Sequence, residues 1–210
     1  MVTLYYFTDE LHKTNSVEEL KSVWQTKKDI KKWIHIRGDD EQEIKQILSG
    51  ICGFHSSTIE DCLNFSAHPK IDIYDDYIFL VIHSLNYYEK EERISTRELD
   101  AYLGENFLVT YNYKPIECIE AMEKKFNTDK KFTQKGTDIL YHFILDKLFD
   151  KYFLILEELD KRIETIDNKI SKNEIKNTND ILHDINDFRR NILIMILLKK
   201  PVTVSIDLLE

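Results

Sequence analysis

The run Tyr77–Leu85 (YIFLVIHSL) is apolar on both of the faces that alternate along a β-strand. A strand with one face in solvent alternates apolar and polar residues, whereas a run of this kind needs cover on both sides. The chain must therefore build a sheet with other elements packed on each face. Its 210 residues, 42% of them hydrophobic, are enough for one such domain and an appendage.

Shorter β-prone runs supply further strands for this sheet. They are Thr3–Phe7 (TLYYF), Trp33–Ile36 (WIHI), Leu99–Leu103 and Phe107–Tyr113, the last two joined by a turn at Gly104. Helices are predicted after Asn15 or Ser16, the latter with the form of a capping box with Glu19, and after Asp40 and Pro115. Strands interspersed with helices in this way predict an α/β (α+β) fold with a mixed sheet flanked by helices.

From Asp138 onward apolar residues recur at steps of three and four as far as Ile170, and the same spacing returns between Ile181 and Leu198. This periodicity predicts two long amphipathic helices, and the short polar segment between them predicts an antiparallel hairpin. A polar, lysine-rich stretch precedes the first helix. We therefore divide the chain into an α/β domain over 1–133 and a long helical hairpin over 134–210.

The segment just before the central strand carries charged residues. Ser57 and Glu60 have the spacing of a capping box, which predicts a short helix with Glu60 and Asp61 in its first turn. The partial positive charge at a helix N-terminus favours anions there. Pro69 then forces the preceding residue, His68, out of helical geometry.

Several classes of function are excluded or disfavoured by composition. The net charge of −9 disfavours a nucleic-acid partner. The three cysteines form no CxxC pair, which indicates a reduced compartment, and no signal peptide is evident. The longest apolar run, 192–198, is far shorter than the roughly 20 residues that a membrane helix needs. The sequence contains no phosphate loop, nucleophile elbow or His-Glu-x-x-His motif, so we do not expect an enzyme.

Residues His55–Asn64 follow the pattern His-x-x-x-x-Glu-Asp-x-x-Asn, and Pro69–Val81 follow Pro-Lys-Ile-x-x-Tyr-x-x-Tyr-Ile-Phe-Leu-Val. Together with Glu98–Thr110 (ELDAYLGENFLVT) and Ile139–Phe153 (ILYHFILDKLFDKYF), these motifs resemble the N-terminal cytoplasmic domain of CorA-type magnesium and divalent-cation transporters. The resemblance covers essentially the whole chain. It implies a homopentamer on the cytoplasmic side of the cell membrane, with membrane contact only through a C-terminal segment, including a Gly-Met-Asn motif, that this chain lacks.

The resemblance also implies a metal site. Glu60, Asp61 and Asp146 match carboxylates that hold regulatory divalent ions in CorA-like proteins, between adjacent subunits. Two carboxylates about 5 Å apart repel by roughly 3 kcal/mol at an effective dielectric near 20, and a hard cation between them reverses the sign. Mg²⁺ suits such a site because it keeps most of its water and needs only one or two direct carboxylates, with Co²⁺ or Zn²⁺ as alternatives.

Other interpretations of these residues stay open. Glu60 can close a capping box, Asp61 can complement the helix N-terminus, and Asp146 can belong to a solvated helix face. The i, i+4 pairs His142–Asp146 and His183–Asp187 have a chelating spacing on a helix, and their imidazole ligands would favour zinc or nickel over magnesium. At the level of the protein, the alternatives are the corresponding domain of a zinc-transporting relative, or a soluble α/β protein whose hairpin is an interaction module without a transport role.

Overall fold

A computed structural model describes residues 1–66, 68–88, 93–129, 132, 135–171 and 185–195. Its strands are β1 (Val2–Phe7), β2 (Leu11–Thr14), β3 (Lys32–Arg37), β4 (Lys70–Ile73), β5 (Ile78–Tyr88), β6 (Arg93–Gly104) and β7 (Phe107–Asn112). Its helices are α1 (Val17–Thr26), α2 (Glu41–Lys45), α3 (Ser56–Leu63), α4 (Glu117–Thr128), α5 (Thr137–Ser171) and α6, over 185–195. A π-helical turn, Gln46–Ile51, extends α2.

The seven strands form one mixed sheet in the order β2-β1-β3-β7-β6-β5-β4. Only β3 and β7 pair in parallel; every other neighbouring pair is antiparallel. The predicted mixed sheet with flanking helices and a long helix is confirmed.

Strand β5 is covered on both faces, as its apolar run predicted. Leu80 and Ile82 face the core cluster that α4 and α5 complete, whereas Phe79 and Val81 face the cluster that α1, α2, the π-helical turn and α3 complete. All four side chains are at most 1% exposed. The helices α3 and α5 therefore lie on opposite sides of the sheet, which decides where the candidate ligands lie.

The long helix α5 has two different environments. Its first turns belong to the core of the sheet through buried residues such as Leu140, Ile144 and Leu148. Further along, Tyr152 and Ile155 pack against residues of α6 and of β5 and β6. The segment between the two hairpin helices, 172–184, lies outside the described residues, as does the chain from 196 onward. The boundary near 133 stays a prediction.

Two edge strands, β2 and β4, were not predicted from the sequence. Each has four residues, and β2 (LHKT) and β4 (KIDI) mix charged with apolar residues. Edge strands bury little and so carry a weak apolar signal, and pairing with β1 and β5 holds them in the sheet instead. Helix α4 begins at Glu117 rather than at Pro115, with Ile116 as its N-cap.

The predicted cap of α1 allows a direct test. The Oγ of Ser16 accepts a hydrogen bond from the backbone N–H of Glu19 at 3.2 Å, so Ser16→Ala is expected to lower the free energy of unfolding by about 1 kcal/mol. Ser22→Ala, at an exposed position within the same helix, is the control and is expected to cost nothing because alanine favours a helix interior. Urea denaturation followed by circular dichroism measures both, and equal stabilities of the two variants would contradict the assignment.

Candidate metal centre

The helix that carries Glu60 and Asp61 begins two residues earlier than the capping-box pattern predicted. His55 is the N-cap of α3, and its Nδ1 accepts a hydrogen bond from the backbone N–H of Ser57 at 3.2 Å. The prediction of Ser57 as the cap, with both carboxylates in the first turn, is therefore wrong: the first turn of α3 carries no acidic residue. His55 is held in the loop, since its backbone N–H also donates to the Tyr77 hydroxyl at 3.0 Å.

Glu60 and Asp61 both reach the surface but point to different neighbours. Glu60 is exposed and lines a shallow groove together with Glu41 and Lys45. Asp61 is 30% exposed, and its Oδ2 accepts a hydrogen bond from the Lys70 ammonium at 2.7 Å. Among the described residues, the Lys70 ammonium that pairs with Asp61 therefore belongs to a different part of the surface from the groove that Glu60 lines.

Asp146 lies on α5, on the other side of the sheet. Its side chain is 58% exposed, and the nearest cation is Lys147 at 3.9 Å. One chain therefore does not bring Asp146 together with Glu60 and Asp61. Among the residues that the structure describes, no three or more His, Cys, Asp or Glu side chains are close enough to hold a metal ion. The predicted site, which needs a neighbouring subunit, stays a prediction.

The histidine pairs give no better site. His142 is exposed on α5 beside Asp146, and two ligands of this kind are usually a surface contact. His183 lies outside the described residues, and Asp187 is paired with Arg190 at 3.1 Å.

Sequence reasoning missed two charged residues beside Asp61. The Lys70 ammonium also contacts the Oδ2 of Asp72, at 2.8 Å, so one cation bridges two carboxylates. Lys70 and Asp72 are two residues apart on β4 and therefore lie on the same face of the sheet. The short alternation Lys-Ile-Asp-Ile could have shown this face, but only the pairing of β4 with β5 places it against α3.

A cluster of buried polar groups lies on the same side of the sheet, where α3 ends. The Glu98 carboxylate accepts a hydrogen bond from the Ser66 N–H at 2.6 Å, and His83 Nε2 donates to the Ser66 carbonyl at 2.8 Å. Asp100 is 1% exposed, and its Oδ1 has no hydrogen-bond partner within the described part of the chain. Glu98 and Asp100 line a cavity of about 410 Å³ together with Cys62.

Burial controls the protonation of this cluster. Desolvation raises the pKa of Glu98 from 4.5 to about 7, and the carboxylate of Asp61 adds to the rise. Desolvation and the neighbouring Glu98 raise the pKa of Asp100 well above its ordinary value. Desolvation lowers the pKa of His83. The neutral forms of these three side chains are therefore favoured beneath α3.

The fold of this chain matches that of a solved soluble domain of the CorA class. The chain superposes on the soluble domain of CorA from Methanocaldococcus jannaschii with a TM-score of 0.69, over 92% of this chain and 72% of that chain. The identity in that comparison is 20%, so the likeness shows a common architecture.

The family follows from the sequence match. Residues 29–209 match the family described as CorA-like Mg²⁺ transporter protein, and the chain belongs to that family. It is 29% identical over 161 residues to the Bacillus subtilis protein named "Putative metal ion transporter YfjQ", covering 77% of this chain and 48% of that protein. It is 22% identical over 165 residues to the cobalt/magnesium transport protein CorA of Thermotoga maritima, covering 76% and 47%.

The chain spans about half the length of these curated relatives. Within the described residues, none of the helices combines the length and the apolar character that crossing a membrane requires.

Proposed function

We propose that this chain is the cytoplasmic, divalent-cation-sensing regulatory domain of a CorA-like magnesium transporter, with cobalt as a second ion. In this proposal the domain has no catalytic role. Glu60 and Asp61 of one subunit and Asp146 of the next hold Mg²⁺ at the interface between copies in a homopentamer. The whole assembly is attached to the inner membrane through residues beyond this chain.

One observation carries the proposal beyond family membership. The three carboxylates are at the surface, on opposite sides of a single sheet, so only a second copy can bring those of α3 next to that of α5. Oxygen ligands of this type suit Mg²⁺, which retains bound water and can be held by few direct carboxylates. When the ion leaves, like charges face each other across the interface and weaken it. A loosened interface favours opening of the pore.

Static light scattering of this chain across a series of Mg²⁺ concentrations tests the proposal. We expect Mg²⁺ to promote association, and we expect Asp61→Asn or Asp146→Asn to raise the half-maximal concentration at least tenfold because each removes a charged ligand. Asp150→Asn is a matched control, since Asp150 lies one turn from Asp146, is also 58% exposed and contacts the same Lys147. It should behave as the unmodified chain does.

Two outcomes would count against the proposal. Association that is independent of Mg²⁺ would contradict the proposed metal site. Association that Asp150→Asn weakens as much as Asp61→Asn or Asp146→Asn does would contradict the assignment of the ligands. A parallel series with Co²⁺ and Zn²⁺ separates the ions: a response to Zn²⁺ without any response to millimolar Mg²⁺ would favour the zinc-transporting alternative. If both ions promote association and Zn²⁺ only does so at a lower concentration, the zinc-transporting alternative is not favoured, because most nitrogen and oxygen sites prefer zinc.

A further inference from the structure

The Lys70 ammonium contacts Asp61, one of the carboxylates to which the proposed function assigns the divalent ion. The Nζ of Lys70 lies 2.7 Å from the Oδ2 of Asp61 and 2.8 Å from the Oδ2 of Asp72. We propose that Lys70 is a tethered counter-ion, which competes with the divalent ion for Asp61 and thereby sets the ion concentration at which the site fills. This inference rests on the proposed function, because it takes Asp61 as a ligand.

The backbone fixes Lys70 in this position. In the pairing of β4 with β5, Lys70 lies opposite Val81 and Asp72 lies opposite Phe79. Val81 and Phe79 face the core that α3 covers, so Lys70 and Asp72 lie on the α3 side of the sheet. The ammonium is thus presented to Asp61 by a paired strand and not by a free loop.

The contact is also exchangeable. Lys70 is 39% exposed, and Asp61 and Asp72 are each 30% exposed, so water and ions reach all three groups. Ion pairs that are this accessible are weak, and an incoming divalent ion can displace the ammonium. The ammonium carries one positive charge, whereas a divalent ion carries two and is attracted more strongly to the Asp61 carboxylate. Lys70 therefore weakens ion binding without preventing it.

Isothermal titration of this chain with MgCl₂ at fixed ionic strength tests the proposal. We expect Lys70→Gln, and equally Lys70→Met, to bind Mg²⁺ about tenfold more tightly, because the competing charge is gone. Lys70→Arg keeps a cation at the position and should bind within about twofold of the unmodified chain. The gain should disappear in the double variant Lys70→Gln/Asp61→Asn.

Lys125→Gln is the matched control for the change in net charge. Lys125 is also 39% exposed and pairs with a carboxylate, that of Asp129, at 3.2 Å, but it lies on α4 on the other side of the sheet. It should leave Mg²⁺ affinity unchanged.

The outcomes separate the two proposals. If Asp61→Asn weakens Mg²⁺ binding but neither Lys70→Gln nor Lys70→Met tightens it, the role of Lys70 is overturned and the proposed function stands. If Lys125→Gln tightens binding as much as Lys70→Gln, the effect is one of net charge and the role of Lys70 is again overturned. If neither the unmodified chain nor the Lys70 variants bind Mg²⁺, the proposed function fails and the role of Lys70 fails with it.

Discussion

Replacing Ile144 with aspartate is expected to lower the free energy of unfolding by 4 kcal/mol or more, in the range of the most damaging single substitutions. Ile144 lies in the first half of α5 and is 0% exposed, in the same core cluster as Leu80, Ile82 and Leu108. The substitution removes a buried apolar side chain and forces an unpaired carboxyl group into its place. Because domains of this kind are typically stable by only about 5–15 kcal/mol, the substitution would remove a large share of the total stability.

The same helix provides the control for this experiment. Phe153 is 63% exposed, so Phe153→Asp buries no charge and should change the free energy of unfolding by no more than about 0.5 kcal/mol. Both variants can be compared with the unmodified chain by urea denaturation at low protein concentration, where association does not contribute. Equal stabilities of the two variants would show that the start of α5 is not part of the core of the sheet.

The second large effect is on the pH dependence of stability. Glu98→Gln is expected to stabilise the chain above about pH 7 by about 3 kcal/mol, since each pKa unit is equivalent to about 1.4 kcal/mol and burial raises the pKa of Glu98 from 4.5 to about 7. The folded chain binds the proton more tightly than the unfolded chain does. The stability that this proton contributes is therefore fully present below about pH 4.5 and is lost as the pH rises through about 7.

The measurement is the difference in free energy of unfolding between the variant and the unmodified chain, at intervals from pH 4 to pH 8. A difference is needed because other groups also titrate: the buried imidazole of His35 has its pKa lowered to about 3 and costs stability in acid. We expect the advantage of Glu98→Gln to be near zero at pH 4 and to grow steadily with pH. Glu120→Gln, on the exposed face of α4, should show no such trend. An advantage that is constant with pH would contradict the protonated state of Glu98.

Much of the architecture could be predicted from the sequence because it depends on local patterns. The uninterrupted apolar run of β5 predicted a strand with both faces covered. The steps of three and four predicted a helix from Asp138 to Ile170, and α5 extends from Thr137 to Ser171. The cap at Ser16 was also confirmed. In contrast, β2 and β4 depend on pairing with a neighbouring strand, which no pattern within four residues can specify.

The same distinction between local sequence and tertiary packing applies to the candidate site. The sequence by itself determined which residue types are available, namely the adjacent carboxylates Glu60 and Asp61 and the lone Asp146 on a long helix. Only the tertiary structure decided that Asp146 lies across the sheet from the other two, and that Lys70, from a different element, neutralises Asp61. It also decided that desolvation raises the pKa of Glu98. The physical reason is that charge interactions and desolvation depend on distances and burial between segments far apart in the chain, which only the packing of the sheet and its helices fixes.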